Sequence, residues 1–333
     1  MRLVGRKYWR SLAIMGDHLA REHTSIRQSR PLLSSWMNNG TECKCHRLAV
    51  SLSKTLENDH IEAQFRKAIL SITTEEYEKV ARFRYKDDAL ASLLGRLFLR
   101  QATRRLAGVN WSEIEFGRTE KGKPFLAKPA GITFGINVSH QGDYVAFASS
   151  CTDKIGVDCM RLDKDRNNKS ADEYINSMAK SASVEELRMM RSQATEQMKM
   201  TYFYRYWCLK EAVLKATGEG LLSDLRRLDF RVDPSERYRP RCFITSTTVS
   251  LDGKPQNQWI FEETFIDDRH AAAVCREKKL PKTCLFYADP ERRIFFGTVD
   301  MDFLLEGATV LNPMLSDGAE EWQSFNSKPR KNF

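Results

Sequence analysis

The stretch Tyr206-Trp-Cys-Leu-Lys-Glu211-Ala-Val-Leu-Lys215-Ala-Thr-Gly218 predicts a long helix that carries charged groups on one face. Trp207, Glu211 and Lys215 are spaced by four residues, so their side chains share that face. Gly218 stands where a glycine commonly ends a helix, and we predict the helix over residues 201–216. A Glu–Lys pair at this spacing is commonly a surface salt bridge worth about 0.3–0.5 kcal/mol. Here the helix is rich in aromatic residues and must be largely buried, which makes a charged pair costly and indicates a functional role.

A helix followed by a β-hairpin occurs twice along the chain. The first helix is predicted from Asp87 or Asp88 to Leu106 and the first hairpin over residues 133–149, with His140 in its turn; the second hairpin is predicted over residues 259–275. The fold class is therefore α/β (α+β), a pseudo-duplicated protein with two similar lobes, each a long helix packed on a small, mostly antiparallel sheet. The predicted divisions are an appended basic segment (1–60), an N-terminal lobe (61–153), a C-terminal lobe (154–280) and a C-terminal extension (281–333).

Capping boxes mark two shorter helices. Thr73 with Glu76 opens a short helix through Lys79, and Ser183 with Glu186 opens another. Within the first long helix an arginine recurs every fourth residue, and for Arg104 a solvated face is the simplest interpretation.

Charge and hydropathy exclude some classes of protein. The net charge is +9, and no run approaches the 18 apolar residues of a membrane span, so we expect a soluble protein with no membrane partner. Residues 1–50 hold nine Lys/Arg and three Asp/Glu, and residues 79–123 hold eleven and five. Such patches attract phosphates or acidic proteins. A nucleic-acid-binding protein is the alternative from another class, but it would need a recognition motif or interleaved aromatic residues, which the sequence lacks.

The eight cysteines suggest a reducing compartment, because they show no paired spacing and no secretory segment precedes them. Cys43, Cys45 and His46 form the only cluster along the sequence, and a tetrahedral zinc site would need a fourth ligand. Residues 1–15 hold four basic residues and no acidic one, and Arg and Ser recur to Ser35. This start is weakly similar to a mitochondrial presequence, although a disordered tail or a misjudged start codon fits at least as well. We expect the cytosol, with the mitochondrion as the alternative.

Three segments carry groups suited to chemistry on a diphosphate. Asp158 follows Ile155-Gly-Val, and its carboxylate with that of Glu211 could hold a hard cation such as Mg²⁺. Lys215 supplies a positive charge to a phosphate. Asn137 and Ser139 project to the same side of a strand that leads to His140. Lys121, Lys123 and His140 suit a further phosphate, and the turn at Gly122 lets backbone N–H groups approach an anion.

Together these segments resemble the two-lobed 4′-phosphopantetheinyl transferases of the surfactin-synthetase type. The matching motifs are Gly156-Val-Asp158, Trp207-Cys-Leu-Lys210-Glu211-Ala-Val-Leu-Lys215, Asn137-Val-Ser139-His140 and Gly122-Lys123-Pro124. The similarity covers about residues 64–278, and the combination of motifs at this spacing is specific. The resemblance is closest to eukaryotic members with broad specificity.

The resemblance implies transfer of 4′-phosphopantetheine from coenzyme A to a serine of an apo acyl carrier protein domain, as a holo-[acyl-carrier-protein] synthase, with release of adenosine 3′,5′-bisphosphate. Asp158 and Glu211 would bind Mg²⁺, Glu211 would act as the base, and Lys215 would assist the leaving group. Carrier domains of fatty-acid synthase and of aminoadipate reductase are the implied partners, and a monomer is plausible. The implied coenzyme A contacts are Lys79, Arg118, Thr119, Glu120, Lys121, Gly122, Lys123, Asn137, Val138, Ser139, His140, Asp158, Glu211 and Lys215.

The sequence departs from the family pattern at three places. Met160 stands where many members have a second acidic residue, so water or the Gln141 amide would have to replace that ligand. Lys79 stands where arginine or lysine is usual, which keeps the charge but loses a bidentate grip. The first strand of the family is not recognisable in residues 1–60. A coenzyme A-binding module without catalysis is a further alternative, against which the presence of both Asp158 and Glu211 argues.

Overall fold

Two 22-residue helices organise the fold, and each packs on its own small sheet. The computed structural model describes residues 43–163, 168–220, 224–236, 242–282, 284 and 296–331. Residues 1–42, where most of the predicted basic segment lies, are outside the described residues.

The described part of the chain contains the following elements. The helices are α1 Leu52–Leu56, α2 Ile61–Leu70, α3 Thr74–Ala81, α4 Lys86–Ala107, α5 Ala171–Ser177, α6 Val184–Arg191, α7 Glu196–Thr217, α8 Met301–Leu305 and α9 Ala319–Asn326. The strands are β1 His46–Ser51, β2 Glu115–Arg118, β3 Pro124–Lys128, β4 Gly135–Gln141, β5 Tyr144–Ser150, β6 Ile155–Arg161, β7 Leu228–Arg231, β8 Thr248–Leu251, β9 Lys254–Pro255, β10 Trp259–Phe265, β11 His270–Glu277 and β12 Gly297–Thr298.

The first half is a four-stranded sheet in the order β12-β1-β5-β4, covered by α4. β5 is buried along its whole length and pairs antiparallel with both neighbours, whereas β12 runs parallel to β1. α4 ends at Gly108, whose φ of 69° is left-handed and suits glycine. The predicted helix and hairpin are therefore present, with the helix starting at Lys86.

The sheet of the first half begins before residue 61, which corrects the predicted boundary. β1 lies between β12 and β5, and residues 46–51 are buried apart from a half-buried His46. The buried guanidinium of Arg47 forms an ion pair with Glu262 at 2.9 Å. The appended segment therefore does not extend to residue 60. The strand was unrecognisable in the sequence because it is short and its partners are far away along the chain.

The C-terminal extension also belongs to the first half. β12 extends its sheet, and α8 and α9 pack against α2 and α4. Phe325 on α9 stacks on Phe65 of α2, with ring centroids 4.2 Å apart. The segment after α9 continues along α4, where Arg330 and Lys331 form ion pairs with Asp87 and Asp88.

The second half is a three-stranded antiparallel sheet in the order β10-β11-β6, covered by α7. β7, β8 and β9 form a separate small antiparallel sheet beside it. α7 starts at Glu196, earlier than the sequence predicted, because Thr195 caps it: its side chain accepts a hydrogen bond from the Met198 N–H. Both capping boxes before α3 and α6 are confirmed.

β4 and β6 meet at the seam between the two halves. Side chains rather than a backbone ladder join them here: Asn137 Oδ1 accepts from the Val157 N–H at 2.9 Å, and Gln141 Oε1 accepts from the Arg161 N–H. Ser139 lies between these two residues and faces Asp158. The prediction that Asn137 and Ser139 share one side of the strand is confirmed.

The arginine row of α4 is less exposed than the sequence suggested. Arg100 is buried, donates to the Ile114 carbonyl at 3.0 Å and forms a 2.9 Å ion pair with Glu76. Arg104 donates to Gln101 and keeps a quarter of its side chain exposed, so the solvated-face interpretation holds for it only in part.

No helix among the described residues is both long and apolar enough to cross a membrane.

Candidate active site

The carboxylate of Asp158 is the centre of the candidate site. It lies within β6, and the residue is 5% exposed. Oδ1 accepts hydrogen bonds from Ser139 Oγ and from Lys215 Nζ, both at 2.7 Å. Oδ2 is buried and has no hydrogen-bond partner among the described residues. A buried carboxylate oxygen without a partner is costly, which points to a missing ligand.

Lys215 connects side chains from both halves. Its Nζ donates to Asp158, to Ser139 Oγ at 2.8 Å and to the Val157 carbonyl at 3.1 Å. Burial opposes the charge, but the Asp158 carboxylate outweighs it and raises the pKa of Lys215. The ammonium is therefore charged at neutral pH and fixed beside the open carboxylate oxygen.

Glu211 lies one turn before Lys215 on the same face of α7. It is half-buried and forms no side-chain hydrogen bond or ion pair with any part of the chain that the structure describes. Burial, and then the charge of Asp158, raise the pKa of Glu211, while Lys215 lowers it. A carboxylate with a raised pKa and no internal partner is suited to accept a proton or to bind a cation.

Gly156 explains how α7 comes close enough to β6. A Cβ at this position would lie 2.0 Å from the Ala212 carbonyl oxygen and 2.5 Å from the Ala216 nitrogen. Only a residue without a side chain permits this contact between strand and helix. The glycine two residues before Asp158 therefore sets the distance between Asp158 and Lys215.

Lys210 of the same helix has a structural role. It is 2% exposed, lies 3.0 Å from Glu186 Oε2 and donates to the carbonyls of Leu225 and Leu228. Glu186 also accepts from the Phe230 N–H. The buried pair thus ties α7 to α6 and β7 on the side of the helix away from Asp158.

The segment 137–140 lies in β4, so the prediction that His140 sits in a turn was wrong. His140 pairs with Val145, and only Gly142 and Asp143 form the turn, where Gly142 has a φ of 62°. The His140 side chain is exposed. Desolvation by the surrounding protein, followed by the charge of Lys215, lowers its pKa. Val138 lies on the face of the strand opposite to Asn137 and Ser139 and packs close to Gly95 of α4.

The turn of residues 118–123 joins β2 to β3. Gly122 has a φ of 81°, and the N–H groups of Thr119, Gly122 and Lys123 are used in hydrogen bonds within the turn. The expectation that this backbone offers those N–H groups to an anion is therefore wrong for these three. Lys123 Nζ donates to the Ala216 carbonyl near the end of α7 at 3.1 Å, which brings the turn to that helix. The side chains that remain exposed are Arg118, Thr119, Glu120 and Lys121.

Lys79 is exposed on the last turn of α3, and no described contact joins it to His140. The charges that act on His140 are those of Lys215, Asp88, Lys331 and Asp158. Lys331 was missed in the sequence because it is close to the site only through the fold: its Nζ contacts Asp88 of α4 at 2.5 Å.

The residues present fit a hard divalent cation. Asp158 Oδ2 and the Glu211 carboxylate are anionic oxygen donors on facing elements, and oxygen is the ligand that Mg²⁺ prefers. The Gln141 amide oxygen, suggested as a substitute for the acidic residue absent at Met160, accepts the Arg161 N–H and has one further lone pair.

Comparison with known proteins gives matches over both halves. A family model described as 4′-phosphopantetheinyl transferase, N-terminal, matches residues 59–152, and one described as the 4′-phosphopantetheinyl transferase superfamily matches residues 154–275. The chain is 35% identical to mouse L-aminoadipate-semialdehyde dehydrogenase-phosphopantetheinyl transferase over 224 residues, which cover 65% of this chain and 70% of the mouse protein.

The chain belongs to the 4′-phosphopantetheinyl transferase family. A Xenopus laevis protein with the same name as the mouse protein is 32% identical over 79% of this chain and 86% of its own length. The 4′-phosphopantetheinyl transferase of Bacillus subtilis is 29% identical over 62% of this chain and 82% of its own length. The family resemblance and the enzyme class inferred from the sequence are confirmed, and this transferase acts, like its family, on carrier protein domains.

Proposed function

We propose that this transferase moves 4′-phosphopantetheine from coenzyme A to a serine of an apo carrier domain. The serine Oγ attacks the β-phosphorus of the diphosphate, the bond from that phosphorus to the bridging oxygen breaks, and adenosine 3′,5′-bisphosphate leaves. The observation that carries the proposal is the buried Asp158 Oδ2, which has no hydrogen-bond partner among the described residues and lies beside a fixed ammonium.

Asp158 and Glu211 would hold Mg²⁺. The ion would neutralise charge on the diphosphate and on the leaving oxygen. Asp158 is suited to this role because Ser139 and Lys215 fix Oδ1 and thereby orient Oδ2. Lys215, held within 3.1 Å of three oxygen atoms, would place its positive charge near the departing phosphate.

Glu211 would also take the proton of the carrier serine. A serine hydroxyl is a weak nucleophile at neutral pH, so its attack needs a base within about 2.6–3.2 Å or one water away. The pKa of Glu211 is raised, and the residue makes no competing hydrogen bond among the described residues. These properties support the role of a base.

The nucleotide part of coenzyme A would bind along β4 and the 118–123 turn. His140 is accessible at the end of β4, and we assign it the 3′-phosphate together with Ser139, with Lys79 as a second cation at longer range. The turn would contact the adenosine mainly through side chains, because three of its N–H groups are used internally. The remaining proposed contacts are Arg118, Thr119, Glu120, Lys121, Gly122, Lys123, Asn137 and Val138.

We propose carrier domains of the fatty-acid synthase and aminoadipate-reductase types as acceptors, and a monomer in the cytosol as the working form. The name of the mouse and Xenopus relatives supports the second acceptor type. The presence of a base and a cation site within one chain supports the monomer.

Intact mass spectrometry tests the reaction. A purified apo carrier domain is incubated with the full chain, coenzyme A and Mg²⁺, and we expect a mass gain of one phosphopantetheine. Omission of Mg²⁺, or of coenzyme A, should abolish the gain. An unchanged carrier mass with every acceptor, together with measurable coenzyme A binding, would instead indicate a binding module without catalysis.

A further inference from the structure

Four cysteines outside the candidate active site meet at one point. They are Cys43, Cys45, Cys151 and Cys284, and their sulfur atoms all lie within 4.8 Å of one another. Cys43 Sγ is 3.8 Å from Cys284 Sγ, and Cys45 Sγ is 3.8 Å from Cys151 and 3.6 Å from Cys284. The sequence showed only the first two, with His46, and His46 is not a member of the group.

Three of the sulfur separations, at 3.6–3.8 Å, match those of a metal-centred tetrahedron. Zinc–thiolate bonds of about 2.3 Å at tetrahedral angles place neighbouring sulfurs about 3.8 Å apart. A disulfide would bring two sulfurs to about 2.05 Å and would leave the other pair separate. In this cluster Cys45 Sγ is within 3.8 Å of the sulfurs of two different cysteines. A shared central ion requires such an arrangement, whereas a pair of disulfides does not.

The fold supplies the four ligands from three segments. Cys45 directly precedes β1 and Cys151 directly follows β5, and the register of these strands, with His46 opposite Ser149, brings both cysteines to the same end of the sheet. Cys284 follows β11 and lies in a turn, where its N–H donates to the Pro281 carbonyl at 2.9 Å. Cys43 and Cys284 are 241 residues apart in the sequence, so the spacing of the cysteines did not indicate the cluster.

The surroundings suit a closed structural site. Cys43, Cys45 and Cys284 are at most 5% exposed, and Leu280 packs against them. The Lys44 N–H donates to Cys151 Sγ at 3.1 Å, the kind of hydrogen bond that orients a thiolate ligand. Four soft sulfur donors leave no open position for a substrate.

We propose that Cys43, Cys45, Cys151 and Cys284 bind one Zn²⁺ ion as tetrahedral thiolates. Binding forms four Zn–S bonds and releases the thiol protons to solvent, with no oxidation or reduction. The ion would join the chain before β1 and the chain after β11 to the end of β5, and so hold the edges of the two halves together. This zinc site is independent of the oxygen donors at Asp158 and Glu211, which suit a harder cation.

Metal analysis of the full-length protein tests the proposal directly. The protein is purified in a non-metal-binding reductant, dialysed against a weak chelator and analysed for metals. We expect about one zinc ion per chain. Replacement by Co²⁺ should give the sulfur-to-cobalt charge-transfer absorption and the visible bands of a tetrahedral thiolate site, which oxygen ligands at Asp158 cannot produce.

Variants locate the ion. Cys45→Ser and Cys284→Ser should each lose the charge-transfer band and retain less than about a tenth of the zinc, whereas the matched control Cys242→Ser, at a half-buried cysteine outside the cluster, should retain both. Asp158→Ala should also retain the zinc. The proposal is overturned if reduced wild-type protein binds neither Zn²⁺ nor Co²⁺ through sulfur. It is also overturned if alkylation and mass mapping find native disulfides among these four cysteines.

Discussion

Lys215 Nζ lies 2.7 Å from Asp158 Oδ1, and this contact leaves the other oxygen of the carboxylate without a partner among the described residues. The helix that carries the ammonium and the strand that carries the carboxylate are in contact only because Gly156 lacks a side chain. The contact therefore serves two purposes. It compensates a buried charge, and it orients the oxygen that we propose as a ligand of Mg²⁺.

Asp158→Ala should abolish transfer while coenzyme A binding stays measurable. The substitution removes a proposed charged oxygen ligand of Mg²⁺, and the expected loss of rate is about a thousandfold. Calorimetric titration of coenzyme A and a turnover assay separate the two effects. The thermal unfolding of the variant should be measured as well, because Lys215 loses its Asp158 partner and the fold could be less stable. Activity within tenfold of wild type would reject Asp158 as a ligand.

Glu211→Gln should reduce transfer by a factor of about 10²–10⁴, because it keeps one proposed oxygen ligand but removes the proposed base. Much of the loss should persist at saturating Mg²⁺. Glu211→Asp, which keeps basicity with a shorter reach, serves as the matched variant and should retain more activity. Full rescue of the Gln variant by Mg²⁺ would make Glu211 a ligand only.

The same Glu211→Gln variant should be more stable than wild type at neutral pH in the absence of metal. The pKa of Glu211 is raised in the folded state, so folded wild type binds more protons than the unfolded chain between the ordinary and the raised pKa. Wild type therefore loses stability as pH rises through that window, and a glutamine does not. Thermal melts from pH 4 to pH 8 should show an advantage of the variant that grows with pH. An advantage independent of pH would contradict the raised pKa.

Wild type should use dephospho-coenzyme A much more poorly than coenzyme A. If His140 binds the 3′-phosphate, His140→Ala should reduce this preference, because the variant lacks the side chain that contacts that phosphate. Lys79→Ala and Lys331→Ala should be assayed for the same preference. Lys79 is the second cation chosen from the sequence, whereas Lys331 is a charge that acts on His140 in the folded protein, so the two variants show which of them contributes. Unchanged discrimination in all three variants would place the phosphate elsewhere.

Gly156→Ala should destabilise the protein by about 1–3 kcal/mol or more and lower activity, because the new Cβ would meet backbone atoms of α7. Gly297→Ala in β12 is the matched control, since its Cβ would meet Leu48 at an ordinary 3.5 Å. Urea unfolding of both variants provides the measurement. Equal stability of the two variants would mean that α7 does not approach β6 this closely.

The features that the sequence predicted correctly depend on residues close together along the chain. The capping boxes at Thr73 and Ser183 and the glycines that end both long helices depend on neighbours within a few residues. The helical spacing of Glu211 and Lys215 likewise placed both on one face of α7.

The features that were missed depend on contacts across the chain. β1 is a short strand whose partners, β5 and β12, follow it by about 100 and 250 residues. His140 was assigned to a turn because its polar neighbours resemble one, whereas pairing with Val145 extends the strand to Gln141. The approach of Lys331 to His140 and the meeting of Cys284 with Cys43 are likewise products of the tertiary fold.

The side-chain seam between β4 and β6 determines what fragments of this protein can do. A fragment that ends before Ile155 keeps Ser139 and His140 but lacks Asp158, Glu211 and Lys215. A fragment that starts at Ile155 keeps those three residues but lacks Ser139 and His140. Products of premature termination or of proteolysis between the halves should therefore be inert rather than weakly active. For the same reason, recovery of transfer on mixing two such fragments would report their reassembly, and the enzyme could serve as its own complementation assay.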